Sequence, residues 1–183
     1  KTPLTIIDAD AEILAMDIGE NEWLNDIQAQ TKRLTELTND LILLSRMEEE
    51  QKAAQMMDFP LSDAAEETLQ SFHNVAKAQG RILDIHIEPM VSFCGDEKSI
   101  RKLISILMDK AIKYSQPGGN ISFDLSRQKN QINISVYNTA EHISNEQTPY
   151  LFDRFYRTDQ SRNSSTGGYG LGLSIAQAIV LPT

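Results

Sequence analysis

One cysteine, Cys94, occurs in the chain. It can form no internal disulfide, and no multi-cysteine metal site is available. Long apolar runs are also lacking: none approaches ~18 residues, so no stretch reads as a membrane-spanning helix. The N-terminal residues lack the charged-then-apolar pattern of a signal peptide. An excess of basic charge is missing as well. Lys plus Arg is 17 against 26 for Asp plus Glu, a formal net charge of −9. That argues against a general nucleic-acid binder, which needs a basic face. The three histidines, His73, His86 and His142, have no metal-like or nucleophile-like partner spacing. They read as surface or boundary residues, and Cys94 reads as buried and inert.

What is present is ordinary for a folded chain. Hydrophobic residues make up 40% and charged residues 23% of 183, which excludes disorder throughout and allows one large domain or two small ones. The chain begins at Lys1 without Met, and we read it as part of something longer.

Two helical segments come first. Leu4, Ile7, Ala11, Leu14 and Ile18 alternate spacings of three and four. Ile27, Leu34, Leu37, Leu41 and Leu44 do the same, with Gln30 the polar exception and Trp23 one step earlier. A period near 3.5 is the stripe of a helical bundle. The short polar break from Asp17 to Asn21 makes the helices antiparallel neighbours. A lone hairpin would waste its stripe, so the pattern predicts a homodimer with a four-helix bundle. The stripe fades at Glu48-Glu49-Glu50-Gln51, read as a solvated helix end. This places one domain at 1–54 and a second at 55–183.

From Asp58 the pattern changes. Phe59-Pro60-Leu61 reads as a short strand, Ser62 or Asp63 as a helix cap, and Gly80 as the helix stop. Leu83, Ile85 and Ile87 alternate with polar residues, as a half-buried strand does. Val91 to Cys94 is a second strand. Gly95-Asp96 opens a strong helix with Ile100, Leu103, Ile104, Leu107 and Ala111 on one face. Ile121, Phe123 and Leu125 pair with Ile132, Ile134 and Val136 across a turn at Lys129-Asn130. The order predicts an α+β sandwich with helices on one face of a mixed sheet. Residues 139–166 are polar and irregular, apart from the aromatic island Tyr150 to Tyr156. A loop this long in a compact domain is usually functional or mobile.

Three features could carry chemistry. Thr166-Gly167-Gly168-Tyr169-Gly170-Leu171-Gly172-Leu173 combines close backbone approach with the start of a helix, which favours a phosphate. It is neither a Walker A loop nor a Rossmann fingerprint; the alternative is a hinge. Lys110, Lys113 and Tyr114 share one helical face opposite much of the apolar stripe; the alternative is a solvated basic face. Arg154, Arg157 and Arg162 surround Phe152, Phe155 and Tyr156, and an arginine can grip a phosphate with two donors; the alternative is a docked aromatic loop.

In this order the pieces resemble the core of a bacterial sensor histidine kinase, over nearly the whole chain. Lys1-Thr2-Pro3-Leu4-Thr5 looks like the tail of the H-box. Asp109-Lys110-Ala111-Ile112-Lys113-Tyr114-Ser115 looks like the N-box, and Val136-Tyr137-Asn138-Thr139-Ala140 sits at the G1 box. Leu151-Phe152-Asp153-Arg154-Phe155-Tyr156-Arg157 is similar to the F-box. Gly168-Tyr169-Gly170-Leu171-Gly172-Leu173 is similar to the G2 box. The resemblance implies a dimerisation and phosphotransfer hairpin followed by an ATP-binding domain of the GHKL type. It implies ATP as cofactor, with Mg²⁺ expected from the family, and a response-regulator receiver domain as partner. The γ-phosphoryl group would pass to a histidine and then to a regulator aspartate. The acceptor histidine is expected three places before Lys1. Thr2 aligns with a residue thought to position water in the reverse reaction. Lys110, Lys113, Tyr114, Asn138, Ala140, Arg154, Arg157, Thr166, Gly168, Gly170, Leu171 and Gly172 would bind the nucleotide, under a lid from Ala140 to Thr166. Membrane attachment would run through segments outside this chain, leaving this part cytoplasmic.

The sequence departs from the family pattern at three further places. The N-box asparagine that normally holds Mg²⁺ is Lys110, and an ammonium cannot ligate a cation. The G1 box lacks both glycines. Where the family has a longer helix and two more strands, Val180 passes directly to Leu181-Pro182-Thr183. Lys110 and the altered G1 box motivate an alternative: a catalytically weakened dimeric scaffold that binds or dephosphorylates a response regulator. A gyrase-like or chaperone-like ATPase is disfavoured by the H-box remnant and the F-box.

Overall fold

The computed structural model describes residues 2–19, 21–49, 56–140, 144–157 and 169–181. Helix α1 (Thr2–Ile18) and helix α2 (Glu22–Glu49) form the predicted hairpin. Gly19, at φ 76°, makes the turn in a left-handed conformation that suits glycine. Asn21 begins α2 by accepting the Trp23 N–H on its side-chain oxygen, at 2.9 Å.

The hairpin corrects the expected stripe. Leu24 and Thr31 are buried, with Gln28, Thr35 and Thr38 half-buried, and Ala11 of α1 is buried. This inward row lies one residue on from the large apolar row. Gln30 is exposed. Ile27, Leu34 and Leu41 stay 43–45% exposed, and Ile7, Leu14, Ile18 and Trp23 are more open or equally so. The physical reason is the narrow seam between two helices of one chain. Small and polar residues let the helices approach, and three threonines satisfy their hydroxyls on the carbonyl one turn back: Thr31 on Ile27, Thr35 on Thr31 and Thr38 on Leu34. The bulky row therefore faces outward.

The second part follows the predicted order. Strand β1 (Met57–Pro60) leads straight into helix α3 (Leu61–Ala78). Pro60 occupies the cap position and no side chain caps the helix, so neither Ser62 nor Asp63 plays that role. The Ser62 hydroxyl instead donates to the Glu88 carbonyl at 2.7 Å and accepts the Val91 N–H at 3.0 Å. It staples the helix start to the segment that precedes strand β3 (Ser92–Gly95). Strand β1 pairs antiparallel with β3. Cys94 lies opposite Asp58 and is exposed, not buried. Alternation decides this: Phe93 turns inward, its ring edge-on to Phe59 at 6.0 Å, so its neighbour must face out. Desolvation and the facing Asp58 carboxylate raise the thiol pKa, which keeps the thiolate scarce.

Strand β2 (Ile82–Ile87), strand β4 (Asn120–Gln128) and strand β5 (Gln131–Asn138) form one mixed sheet in the order β2-β4-β5. β2 runs parallel to β4, and β5 antiparallel to it. The hairpin register matches the expected pairing, with Leu125 opposite Ile134 and Phe123 opposite Val136. Lys129 turns it at φ 56°. The parallel pair needs a long crossover, supplied by helix α4 (Glu97–Tyr114). Asp96 caps α4, accepting the Lys98 N–H at 3.1 Å and the Ser99 hydroxyl at 2.6 Å.

The core lies between the sheet and helices α3 and α4. Ile121, Phe123 and Leu125 meet Leu61, Ala65, Leu69, Ile104, Met108 and Ala111. Arg101 binds α3 to α4 from outside, pairing with Glu67 and Glu97 at 2.7 Å each and reaching the Ala64 carbonyl at 3.1 Å. Helix α5 (Gly172–Val180) packs on α4. A second cluster joins the hairpin to this part: Leu44 packs with Leu103, Ile106, Leu171, Ile175 and Ala176, and Leu37 and Leu43 lie against them. Asp40 and Lys102 close its rim at 3.1 Å. Leu37 and Leu44, expected in the bundle stripe, thus serve this contact. The boundary placed between residues 54 and 55 lies outside the described residues, as do the side chains of the Glu48–Gln51 run. No described helix is long and apolar enough to cross a membrane.

Phe123 is fully buried on the central strand. Phe123→Ala should lower stability by about 3–5 kcal/mol, read as a shift of the urea unfolding midpoint with unchanged slope.

Candidate functional site

Helix α4 is apolar toward the sheet and toward α5, which leaves one narrow face for Lys110, Lys113 and Tyr114. Both lysines are half-buried. Their ammonium groups lie over the Tyr114 ring, at 5.5 Å for Lys110 and 5.2 Å for Lys113. Such contacts suit desolvated cations. The Lys110 stem passes over Gly172 at the start of α5: a Cβ at that position would lie 3.3 Å from Lys110 Cε.

The glycine loop is built against the aromatic turn. Gly170, at φ 77°, leaves no room for a side chain, because a Cβ there would lie 2.7 Å from the Phe155 carbonyl carbon and the Tyr156 oxygen. The Phe155 N–H donates to the Gly170 carbonyl at 3.1 Å. Phe155 itself sits at φ 63°, an uncommon conformation for a bulky residue that this packing holds in place. The Tyr150 and Tyr156 rings, 5.8 Å apart, brace the turn. It delivers Arg157 to the lysines. Arg157 Nε and Nη2 are buried and have no hydrogen-bond partner among the described residues. Leaving such donors unmet costs free energy, so the site is incomplete without an acceptor.

The electrostatics agree. Burial, and then the Lys110 and Arg157 charges, lower the Lys113 pKa to about 8. Burial and Arg157 lower that of Lys110, against a smaller opposing pull from Asp109. The Asp109 carboxyl is raised, mainly by burial, with Lys102 opposing and Glu36 of α2 adding to the rise. The first turn of α5 adds N–H groups with no acceptor inside the helix. Leu171, at the cap position, supplies no side-chain oxygen, and the Ser174 hydroxyl turns back to the Leu171 carbonyl at 2.7 Å. A helix start with Lys110 against it, and Lys113 and Arg157 in electrostatic reach of that lysine, has the chemistry to favour an anion.

The other expected residues take these places. Asn138 ends β5 half-buried, opposite Ile121. The next residue ties that end to the C-terminus of α4: the Gln116 N–H donates to the Thr139 carbonyl at 2.9 Å. Ala140 follows, exposed. Arg154 is exposed, and of the two arginines Arg157 is the one that acts on the lysines. Leu171 is 2% exposed in the cluster with Ile175, so its side chain anchors the loop and does not line it. Thr2 opens α1, exposed on the hairpin. Thr166, Gly168, Arg162, His142 and residues 141–143 and 158–166 of the Ala140–Thr166 lid lie outside the described residues. His73 and His86 are exposed, the latter 3.6 Å from Asp124. A separate groove of about 610 Å³ runs between α3 and β2, lined by Asp63, Glu66, His73 and Met90 among others, and contains none of the lysines.

Sequence reasoning missed the contact of α2 with α4 and α5. Leu37 and Leu44 fit the hairpin period, so spacing alone could not assign them elsewhere. The available signal was on α4, where Leu103 and Leu107 widen the apolar stripe beyond one sheet-facing row.

Two family models match the chain. Residues 95–182 match the histidine kinase-, DNA gyrase B-, and HSP90-like ATPase family, and residues 1–50 match the His Kinase A (phospho-acceptor) domain. The chain is 33% identical over 180 residues to the sensor protein DltS of Streptococcus agalactiae, covering 98% of this chain and 45% of DltS. It is 32% identical to the sensor histidine kinase RppB of Synechocystis, covering 99% of this chain and 41% of RppB. It therefore spans less than half of these curated relatives. Among solved structures, the histidine kinase AdeS of Acinetobacter baumannii superposes with TM-score 0.69 at 22% identity, over 97% of this chain and 83% of AdeS. Full-length ShkA, solved with AMPPNP, gives 0.79 at 18% identity, over 97% of this chain and 38% of ShkA. These likenesses show the fold.

The Lys113 charge carries a pH signature. Its pKa is about 8 when folded, against 10.5 as the ordinary value. Between these values the unfolded chain binds more protons, so this group's contribution to stability rises with pH. Below about pH 8 both states are charged and the penalty is complete. Lys113→Met should be more stable than the parent at pH 7.5, with the gap narrowing by pH 10, as measured by urea midpoints.

Proposed function

The chain belongs to the sensor histidine kinases, with their phospho-acceptor hairpin and their ATPase domain, and we propose that the lysine–arginine site binds ATP and delivers its γ-phosphoryl group to a histidine that precedes Lys1. One observation carries the reading: Lys110, over Gly172 at the start of α5, lies within electrostatic reach of Lys113 and of Arg157, whose two buried donors are unmet among the described residues. In the proposed step a histidine nitrogen bonds to the γ-phosphorus, the bond to the bridging oxygen breaks, and ADP leaves. The protein's contribution is positioning and neutralisation of charge. Lys113 and Arg157 hold the phosphates, the glycine loop lets the backbone approach, and Asn138 meets the adenine amine through its amide oxygen. A response-regulator aspartate then takes the phosphoryl group, and Thr2, exposed at the start of α1, positions water in the reverse reaction. Residues 1–54 would form the transfer domain and 55–183 the ATP-binding domain, as the cytoplasmic part of a membrane sensor.

The hairpin supports a homodimer. Ile7, Leu14, Ile27, Leu34 and Leu41 are all at least 43% exposed, and a second copy of the same row covers them in a four-helix bundle. Each large apolar side chain so buried is worth ~1.5–3 kcal/mol. Ile27→Glu with Leu34→Glu should convert the chain from dimer to monomer in sedimentation equilibrium.

The residues present fit Mg²⁺ poorly. The position that resembles the family's metal-holding asparagine is Lys110, which offers donors only.

The full-length protein, given γ-labelled ATP, should acquire an acid-labile, base-stable phosphoryl group that a receiver domain removes. Nucleotide binding without any label would overturn the kinase reading in favour of the regulator-binding scaffold.

A further inference from the structure

We infer that this site takes its nucleotide as the metal-free anion, with the Lys110 ammonium occupying the place and supplying part of the charge of a divalent cation. The inference rests on the nucleotide reading above and adds a ligand preference to it. An ammonium presents three donors and no lone pair, so it can bind phosphate oxygens directly but cannot hold a cation. The side chain is also held in place. Its stem lies against Gly172, 3.3 Å from where a Cβ would be, and its head lies 5.5 Å from the centre of the Tyr114 ring. A divalent ion beside it would meet a fixed like charge.

The surroundings strengthen that repulsion. Arg157 lies near enough to lower the pKa of both Lys110 and Lys113, and Lys110 lowers that of Lys113 as well. Asp109, the acid adjacent to Lys110, feels Lys110 as well as Lys102 and Glu36 and favours the Lys110 charge, but a single carboxylate adds no cage of oxygens. Against an anion the same cluster is attractive. Three cations plus the roughly half-charge of a helix start come close to the charge of an unchelated triphosphate. The buried Arg157 donors, unmet among the described residues, gain the acceptors they lack.

The test is calorimetric titration of ATP into the full 183-residue chain, once with excess Mg²⁺ and once with EDTA, followed by the same pair for Lys110→Asn and Lys110→Met. The parent chain should bind in EDTA within roughly threefold of its affinity in Mg²⁺, and Lys110→Asn should lose about tenfold or more in EDTA, with most of that recovered by Mg²⁺. Lys110→Met, which keeps the stem and loses the charge, should be weak in both. Binding by the parent that requires Mg²⁺ would overturn the inference and leave the nucleotide reading intact. No binding by the parent in either buffer would overturn the nucleotide reading and the inference with it. The parent comparison decides even if a variant fails to fold.

Discussion

Burial of helix α4 on three sides is the constraint on which the rest depends. Ile104, Met108, Ala111 and Ile112 belong to the core with the sheet. Leu103 and Ile106 belong to the cluster with α5 and the hairpin. Arg101 fastens the helix to α3. A helix committed on so many faces has little surface left, and in its last turns Lys110, Lys113 and Tyr114 share part of it. The parallel pairing of β2 with β4 follows from the same helix, since α4 is the crossover that makes it possible.

The site carries an electrostatic conflict that folding alone does not relieve. Two lysines and an arginine are drawn together, and burial lowers the pKa of both lysines. Native structures tolerate such conflicts mainly where function uses them. An incoming anion turns mutual repulsion into attraction and satisfies Arg157, so stability and ligand binding are coupled through the same charges. Gly170 and the left-handed Phe155 are the backbone counterpart: a tight arrangement held by the docking of one loop on another.

Much of this was legible in the residues. The alternation of Ile121, Phe123 and Leu125 announced a strand, and the turn at Lys129 matched its register because side chains on a strand repeat every two residues. The α4 pattern and its start at Gly95-Asp96 were equally plain. Spacing placed Lys110 and Lys113 on one face. What spacing could not show was their shared environment with Arg157, which is 44 positions away from Lys113 in the numbering and arrives only through the contact of Gly170 with Phe155. Cys94 was misread for a related reason. Composition favours buried cysteines, but the inward turn of Phe93 set the parity of β3. Ser62 looked like a cap by residue type, and its hydroxyl was taken instead by Glu88 and Val91 across the chain.

The hairpin marks the division between the two kinds of information. By itself the sequence determined that two helices would form, that they would be antiparallel, and that large apolar residues would recur at heptad spacing. These are consequences of local periodicity and a short turn. Which row faces the partner helix was decided only in three dimensions, because rows one residue apart both fit the period and the narrow seam accepts Thr31 more easily than Leu34. The same holds at the site. The chain's own residue types determined that lysines, glycines and an arginine would be available. Their convergence on one helix start, and the diversion of Leu37 and Leu44 to α4 and α5, depended on packing between segments far apart in the chain, which no local pattern encodes.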